Sequence, residues 1–308
     1  MMKKGFRKSI AMVVVLVVVL AVGVGCTRGE PIGGRDGQEP APDTDARGDA
    51  REVKIGAVNW DDCIALTNVA KVVLEDHMGY TVDDTYADVG PVFASVASGN
   101  YDVFLDAWLP VTHSTYMDQY GEDLDELGTI YTGARIGLVV PEYVDIDSIE
   151  EFNDAREEFD NEIVGIDAGA GIMEKTEEVI AEYELDVNLI TSSGPMMAAA
   201  LMGAIDNEEW IAVTGWSPHW KFGRWDLKYL DDPKNIYGED EYVAIVARKG
   251  LEDDLPEVAN FFSNFQIELD ELEELMSQMQ DADETEQDVA RRWIEDNMDR
   301  VNEWIGAG

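Results

Sequence analysis

The sequence predicts an α/β fold with mainly parallel sheets, arranged as two lobes. Short apolar runs with strand character alternate with longer segments of helical periodicity over most of the chain. Apolar residues make up 45% of the composition, which excludes a disordered chain. The length of 308 residues is enough for about two domains with a sizeable core.

The predicted elements alternate in type along the chain. Strand character is found at 53–58, 102–106, 137–141, 163–167, 210–214 and 242–247. Helical periodicity is found at 64–78, which ends at Gly79, at 172–183, and from 256 to 304. We expect one lobe from residues 53–139 with 242–308 and a second lobe from 140–241. Ligands of such folds bind in the crevice at the carboxyl ends of the strands.

The N-terminal segment is typical of an exported protein. Four basic side chains and no acidic one stand in the first eight residues, followed by an apolar run from 11 to 25. This run is shorter than the roughly 20 residues of a spanning helix, so 1–25 is predicted to be a signal peptide. Gly25-Cys26 resembles a lipoprotein cleavage site, which predicts lipidation of Cys26. An uncleaved anchor is the alternative, because Gly23 stands where a bulky residue is usual.

Residues 26–52 are predicted to form a flexible tether, since they are rich in Gly, Pro, Asp and Arg and almost devoid of apolar residues. A lipidated N-terminus and a tether together place the body of the protein on the extracellular face of the cytoplasmic membrane. An uncleaved anchor would place it on the same side.

The charge of the chain is strongly negative. Lys and Arg number 22 and Asp and Glu 65, giving a net charge of −43, or −47 once the signal peptide is removed. Nucleic acid is therefore not expected as a partner, because phosphates bind Lys and Arg. Such self-repulsion destabilises a compact domain in dilute salt and is screened in strong salt. Because the acidic residues are spread along the chain, we interpret them as adaptation to a saline medium. An ordinary acidic protein is the alternative.

Three tryptophans follow the ends of predicted strands at equivalent places. They are Trp60, Trp108 and Trp216. Three indole faces can enclose a quaternary ammonium group, which has no N–H to donate and is attracted by the ring quadrupole at about 0.5–2 kcal/mol per face. Any one of them is also a reasonable core or rim aromatic, so the hypothesis depends on all three.

Candidate groups for a ligand anion lie in two other segments. The sequence DAGAGI at 167–172 is a glycine-rich turn that opens a helix, where free N–H groups bind anions. The alternative is that its glycines only permit a tight turn. His113, five residues after Trp108, is the best side-chain candidate for an anion, whereas His77 and His219 are expected to be structural.

No catalytic or metal-binding motif is found. The sequence lacks HExxH, CxxC, GxSxG and the common nucleotide-binding patterns, so no cofactor, metal or enzymatic activity is predicted. Cys63 is expected to be a buried free thiol. An extracellular hydrolase and a ligand sensor remain as alternatives, although the first would need an activated nucleophile and the second a signalling domain.

Several strings together resemble the glycine betaine substrate-binding proteins of ABC transporters over about residues 53–305. These strings are NW at 59–60, DAWLPVTH at 106–113, GLVVP at 137–141, DAGAGI at 167–172, TGWSPHW at 214–220, DLKYL at 226–230 and DPK at 232–234.

The resemblance implies a type II periplasmic-binding-protein fold, in which two lobes close by a hinge on a ligand in the cleft between them. It also implies an importer whose permease receives a small quaternary ammonium solute, with choline, carnitine and proline betaine as alternatives to glycine betaine. If the histidine binds as imidazolium, affinity should fall as pH rises. The implied ligand contacts are the indoles of Trp60, Trp108 and Trp216, the backbone N–H groups of Gly171 and Ile172, and the side chain of His113.

Overall fold

Strands and helices alternate along residues 51–306, the part of the chain that the computed structural model describes. The strands are β1 (Glu52–Ala57), β2 (Thr81–Tyr86), β3 (Val103–Leu109), β4 (Leu124–Pro141), β5 (Glu162–Val164), β6 (Asn188–Ile190), β7 (Val213–Ser217), β8 (Leu227–Tyr229) and β9 (Glu241–Arg248). They pair in the order β2-β1-β3-β9-β4-β7-β5-β6, and β8 pairs with β4. The predicted α/β class is confirmed.

The prediction of mainly parallel sheets is wrong. Strand β1 pairs in parallel with β2 and β3, and β5 pairs in parallel with β6 and β7. The other four pairings between the named strands are antiparallel. All four involve β4 or β9, the two strands at the centre of the path, whose direction cannot be read from local hydrophobic pattern.

Strand β4 is shared by two sheets. From Leu124 to Ala134 it pairs with β9, and Ala134 lies opposite Glu241. From Arg135 to Val139 it pairs with β7, and its last residues also pair with β8. We call the strands β2, β1, β3, β9 and residues 124–134 sheet 1, and residues 135–141 with β5–β8 sheet 2. The chain thus passes from sheet 1 to sheet 2 within one continuous strand.

Helices cover both sheets. They are α1 (Asp61–Val72), α2 (Val89–Ala97), α3 (Ser114–Tyr120), α4 (Phe152–Ala155), α5 (Gly171–Glu182), α6 (Gly194–Asn207), α7 (Trp220–Arg224), α8 (Leu251–Asp254), α9 (Pro256–Asn264), α10 (Leu269–Asp281), α11 (Glu286–Asp296) and α12 (Met298–Trp304). Helix α1 continues through a π turn at Val73–His77 and stops at Gly79, whose φ of +73° favours glycine.

The element predictions hold best for long periodic segments. Helices α1, α5 and α9–α12 were predicted, with α9–α12 dividing the predicted run from 256 to 304. The strand predicted at 210–214 is displaced to Val213–Ser217, because Trp210 and Ile211 are half-buried outside the sheet. Strands β2, β6 and β8 and helices α2–α4 and α6–α8 were not predicted. The polar sequence of β2 and the nearly uninterrupted apolar run of α6 explain why those two elements were missed.

Predictions for the N-terminal segment lie outside the described residues. These are the signal peptide at 1–25, lipidation of Cys26 and most of the tether at 26–52. Within residues 51–306, no helix combines the length and the apolar character that crossing a membrane requires.

Candidate functional site

A cavity lies where sheet 1 and sheet 2 meet. Five of the six residues predicted to contact ligand line it, so the structure brings together side chains that are up to 156 positions apart in the chain, from Trp60 to Trp216. The full lining is Trp60, Asp62, Trp108, Thr112, Ile136, Ile166, Ala170, Gly171, Ile172 and Trp216.

The three tryptophans reach the cavity from different elements. Trp60 directly precedes α1, Trp108 lies near the end of β3, and Trp216 lies in β7. All three are at least nine-tenths buried, with exposures of 7%, 3% and 5%. A strand or helix end that points its aromatic side chain into a crevice in this way gives an apolar, water-poor wall suited to a cation without N–H groups.

Each of these indoles is held by a carboxylate. The N–H of every ring donates to an aspartate: Trp60 to Asp167 Oδ2 at 3.2 Å, Trp108 to Asp106 Oδ1 at 2.8 Å, and Trp216 to Asp62 Oδ1 at 3.1 Å. The bonds fix the rotation of the rings. Two of them also join the sheets, because Trp60 and Asp62 belong with sheet 1, whereas their partners Asp167 and Trp216 belong with sheet 2.

The start of α5 also lines the cavity. The helix begins at Gly171, and Ala170 at its N-cap has no side-chain group that could accept a hydrogen bond. The first N–H groups of a helix have no intrahelical acceptor. The N–H groups of Gly171 and Ile172 are therefore donors available at the cavity, where the helix dipole also favours an anion.

His113 is placed differently from the other predicted residues. It is fully buried and does not line the cavity, although its neighbour Thr112 does. Its Nδ1 accepts the backbone N–H of Trp108 at 2.9 Å, and its ring stacks on Trp60 with 6.0 Å between centroids. Nε2 therefore carries the imidazole proton, and this buried donor has no protein partner.

The condition under which affinity would fall as pH rises, a protonated His113, is not met near neutral pH. Burial lowers the pKa of His113 to about 3, because the charged ring would lie among Phe93, Phe104 and Trp60 without water. The side chain is neutral at physiological pH. Any hydrogen bond that it gives to a ligand comes from neutral Nε2–H, so it gives binding no pH dependence near neutrality.

The loop before α3 is fixed by one buried carboxylate. Glu241 is 2% exposed, and its Oε2 accepts the N–H groups of Val111 at 2.8 Å and Thr112 at 2.9 Å. Its Oε1 accepts the hydroxyl proton of Thr112. These bonds set the loop that carries Thr112 and His113 against the cavity.

Residues that the sequence analysis missed also line the cavity. Thr112, Ile136, Ile166 and Ala170 are small or aliphatic residues with no chemical signature in the sequence. Asp62 stands two positions after Trp60, but the abundance of acidic residues in this chain conceals it.

The remaining predicted structural residues are not at the cavity. His219 is fully buried, accepts the N–H of Lys221 at Nδ1 and lies 3.4 Å from Asp61, whereas His77 is exposed at the end of its π turn. Cys63 is a buried free thiol, as predicted. Between residues 51 and 306, no cluster of three His, Cys, Asp or Glu side chains could hold a metal ion.

Comparison with known proteins shows which family the chain belongs to. Residues 51–296 match the family model described as the substrate-binding domain of the ABC-type glycine betaine transport system. The chain belongs to this family. Substrate-binding domains of this kind are transport proteins and not enzymes, and they work with a membrane transporter. The two-lobed fold of ABC-transporter binding proteins, predicted from the resemblance, is confirmed by the structures that match it.

Two solved structures of relatives are similar over most of the chain. Lactococcal OpuAC, in a closed conformation complexed with glycine betaine, is 36% identical with a TM-score of 0.79, covering 83% of this chain and all of that one. The glycine betaine/L-proline-binding protein ProX of Borrelia burgdorferi is 37% identical with a TM-score of 0.80, covering 82% and 96%.

A curated relative matches over a shorter stretch. The glycine betaine/carnitine transport binding protein GbuC of Listeria monocytogenes is 39% identical over 178 residues. The alignment covers 57% of this chain and 57% of that protein, so the chain spans little more than half of the relative's length.

Proposed function

We propose that this protein captures glycine betaine outside the cytoplasmic membrane and delivers it to the permease of an ABC importer. The observation that carries the proposal is that one cavity is lined both by three indoles and by the start of α5, with the N–H groups of Gly171 and Ile172. A zwitterion with a trimethylammonium group at one end and a carboxylate at the other matches these two kinds of group.

The neutral imidazole of His113 is proposed to give a third hydrogen bond to the carboxylate. Its Nε2–H is a buried donor without a partner, directly after Thr112 in the cavity wall. An unsatisfied buried donor costs about 1–3 kcal/mol, and a ligand oxygen would recover that cost. Choline lacks the carboxylate, so all three donors favour betaine over choline.

Binding is proposed to close two lobes, 53–139 with 242–308 and 140–241, by a hinge. Strand β4 supports two lobes, since its pairing changes from β9 to β7 after Ala134, although this change lies five residues before the boundary proposed at 139/140. Tyr116 Oη donates to the carbonyl of Gly169 at 2.7 Å, and Thr115 Oγ1 donates to Glu174 at 3.1 Å. A ligand that contacts both sides of the cavity favours this closed arrangement, which a permease can then distinguish from the open one.

Attachment through a lipid on Cys26, after removal of 1–25, is part of the same proposal. The tether lets the binding body stand off the membrane surface. The acidic composition is proposed to be an adaptation to strong salt, in which a cell benefits from importing a neutral osmolyte.

A calorimetric titration panel in high salt tests the function. Glycine betaine, proline betaine, carnitine and choline are each titrated into the mature protein. We expect glycine betaine to bind most tightly, because choline leaves the helix-start donors unpaired. Preference for choline, or binding of none of the four solutes, would contradict the proposal.

A further inference from the structure

Two carboxyl groups lie side by side under the tryptophans. Asp62 and Asp106 are both fully buried, and Asp62 forms part of the cavity wall. One oxygen of each accepts an indole N–H, from Trp216 and Trp108 respectively. The two other oxygens, both Oδ2, are buried and have no hydrogen-bond partner among the described residues. The two carboxyl groups are close enough that each perturbs the ionisation of the other.

Two buried carboxyl groups in contact retain one proton between them. Burial, and next the charge of Asp62, raises the pKa of Asp106 well above its usual range. Burial raises the pKa of Asp62 to about 6. Asp106 can accept the Trp108 N–H on Oδ1 and donate its own proton from Oδ2 to Asp62. Above about pH 6 the pair then carries one negative charge, located on Asp62 at the cavity.

We propose that Asp62 supplies the counter-charge for the ammonium group of the ligand, and that Asp106 is a positioning residue that holds Asp62 through a shared proton. The inference rests on the proposed function, since it concerns how the same cavity selects a cation. A quaternary ammonium cannot donate a hydrogen bond to Asp62, but the attraction between the charges is strong where water is excluded. Asp62 thus adds electrostatic selection to the apolar walls.

The surroundings of the pair contain other ionisable groups. The hydroxyl of Tyr131 faces Asp62, Cys63 lies behind the pair, and both have pKa values raised by burial and remain neutral. Asp61 is adjacent in the chain and its negative charge opposes ionisation of Asp62.

Lys221 also lies near the pair and titrates in the same pH range. Its Nζ lies 4.2 Å from the Trp216 ring centroid and has no hydrogen-bond partner. Burial lowers its pKa to about 7, partly opposed by the charges of Asp61, Asp62 and Glu273. Loss of the Lys221 charge as pH rises would also strengthen binding of a cation. The test must therefore separate the effect of Lys221 from that of Asp62.

The test compares two amide variants with the wild-type protein. Glycine betaine is titrated at fixed high salt from pH 5 to 8. In the wild type, affinity should fall several-fold as pH drops through about 6, because the pair gains its second proton. Asp62→Asn should bind about tenfold more weakly at pH 7.5 and lose the part of the pH dependence centred near pH 6.

Asp106→Asn is the matched control. Its amide oxygen can accept from Trp108 and its NH₂ can donate to Asp62, as a protonated carboxyl does. Its affinity is not assumed to be unchanged, because Asp106 also holds the Trp108 ring, but it should keep the transition near pH 6 that Asp62→Asn loses. Lys221→Met should also keep this transition. Loss of the transition in both amide variants, or a transition that disappears only in Lys221→Met, would overturn the inference.

A second measurement needs no change at the pair. A bound cation favours the ionised form of the Asp62–Asp106 pair. When the Lys221→Met variant binds glycine betaine near pH 6, the pair should therefore release a fraction of a proton. Titration heats in two buffers of different ionisation enthalpy measure that release, and no release would overturn the inference even if Asp62→Asn fails to fold. If the wild type binds no betaine at any pH, the proposed function fails instead.

Discussion

Gly171 faces Thr112 so closely that a methyl group on its Cα would lie 1.9 Å from the Thr112 carbonyl oxygen and 2.7 Å from the carbonyl carbon. Both contacts are with backbone, which cannot move aside as a flexible side chain can. Gly171 belongs to the start of α5 and Thr112 to the loop before α3. The absence of a side chain at this one position lets the two walls of the cavity meet.

Replacement of Gly171 by alanine should therefore weaken betaine binding. Overpacking of this kind costs about 1–3 kcal/mol, so affinity should fall by roughly five- to 150-fold while the folded protein survives. Gly203→Ala is the control, since nothing lies within 4 Å of a Cβ at that position of α6. Calorimetric titration should give wild-type affinity for Gly203→Ala. Equal affinities of the two variants would show that the close contact is not needed for binding.

Loss of any one cage indole should weaken binding. Trp60→Ala, Trp108→Ala and Trp216→Ala each remove a cation–π face and apolar contact, with an expected cost of about 1–3 kcal/mol. Phenylalanine at the same positions should cost less than alanine. Titration monitored by the remaining tryptophan fluorescence measures the losses.

Trp304→Phe is the control for the cage. This residue packs against Phe265 among the C-terminal helices and does not line the cavity. It should lower the melting temperature without changing betaine affinity. Three alanine variants that all titrate like the wild type would place the ligand elsewhere.

Removal of the imidazole should distinguish betaine from choline. Hydrogen bonds to charged groups contribute about 1.5–3 kcal/mol, so His113→Ala should weaken betaine by roughly tenfold to a hundredfold and change choline binding little. His77→Ala should change neither, since that side chain is exposed. Equal losses for both ligands would mean that His113 only supports the Trp108 backbone.

The pH profile provides a separate check on the histidine. The pKa of His113 is lowered to about 3, so its charge would be gained only as pH falls towards that value. Subtracting the profile of His113→Ala from that of the wild type should leave a constant difference between pH 5 and 8. A difference that shrinks as pH rises would indicate an imidazolium.

Thermal stability should increase with salt. The net charge of −43 means that acidic side chains repel one another in the folded protein. Salt screens this repulsion, because the Debye length shortens from about 10 Å at 0.1 M to about 3 Å at 1 M. We expect the melting temperature to rise between about 0.1 and 2 M NaCl. Sucrose at matched osmolality is the control for general solute exclusion. A flat or falling melting temperature in NaCl would argue against a saline adaptation.

Substitution of the proposed lipidation site should change membrane attachment. Cys26→Ser removes the thiol that would carry the lipid, so precursor or released protein should replace the membrane-attached form. Fractionation with mass spectrometry of the N-terminus measures this, and Cys63→Ser is the control thiol. Unchanged attachment with an intact N-terminus would favour an uncleaved helix.

Much of the candidate site could be predicted from the sequence, because its residues occur in short, chemically distinctive strings. Trp108 and Thr112 fall in DAWLPVTH, and Gly171 and Ile172 in DAGAGI, so their arrival at one cavity follows from strand and helix ends. The charge state of His113 did not follow, because it depends on the phenylalanines that tertiary packing brings around the ring.

The antiparallel centre of the fold and the role proposed for Asp62 were beyond sequence reasoning for related reasons. Strand direction in β4 and β9 is decided by pairing between distant segments. Asp62 is one acidic residue among 65 Asp and Glu, and only its complete burial beside Asp106 distinguishes it.

Glu241 ties the loop at the ligand cavity to the place where the chain leaves sheet 1. Its backbone lies opposite Ala134, the last residue of β4 to pair with β9, while its carboxylate holds the N–H groups of Val111 and Thr112. In the proposed closure, a rotation of sheet 2 about this part of β4 would therefore leave the loop with Thr112 fixed to sheet 1. The Gly171 end of α5 would be the part that approaches Thr112, and the contact between the two backbones would limit how far the closure can go.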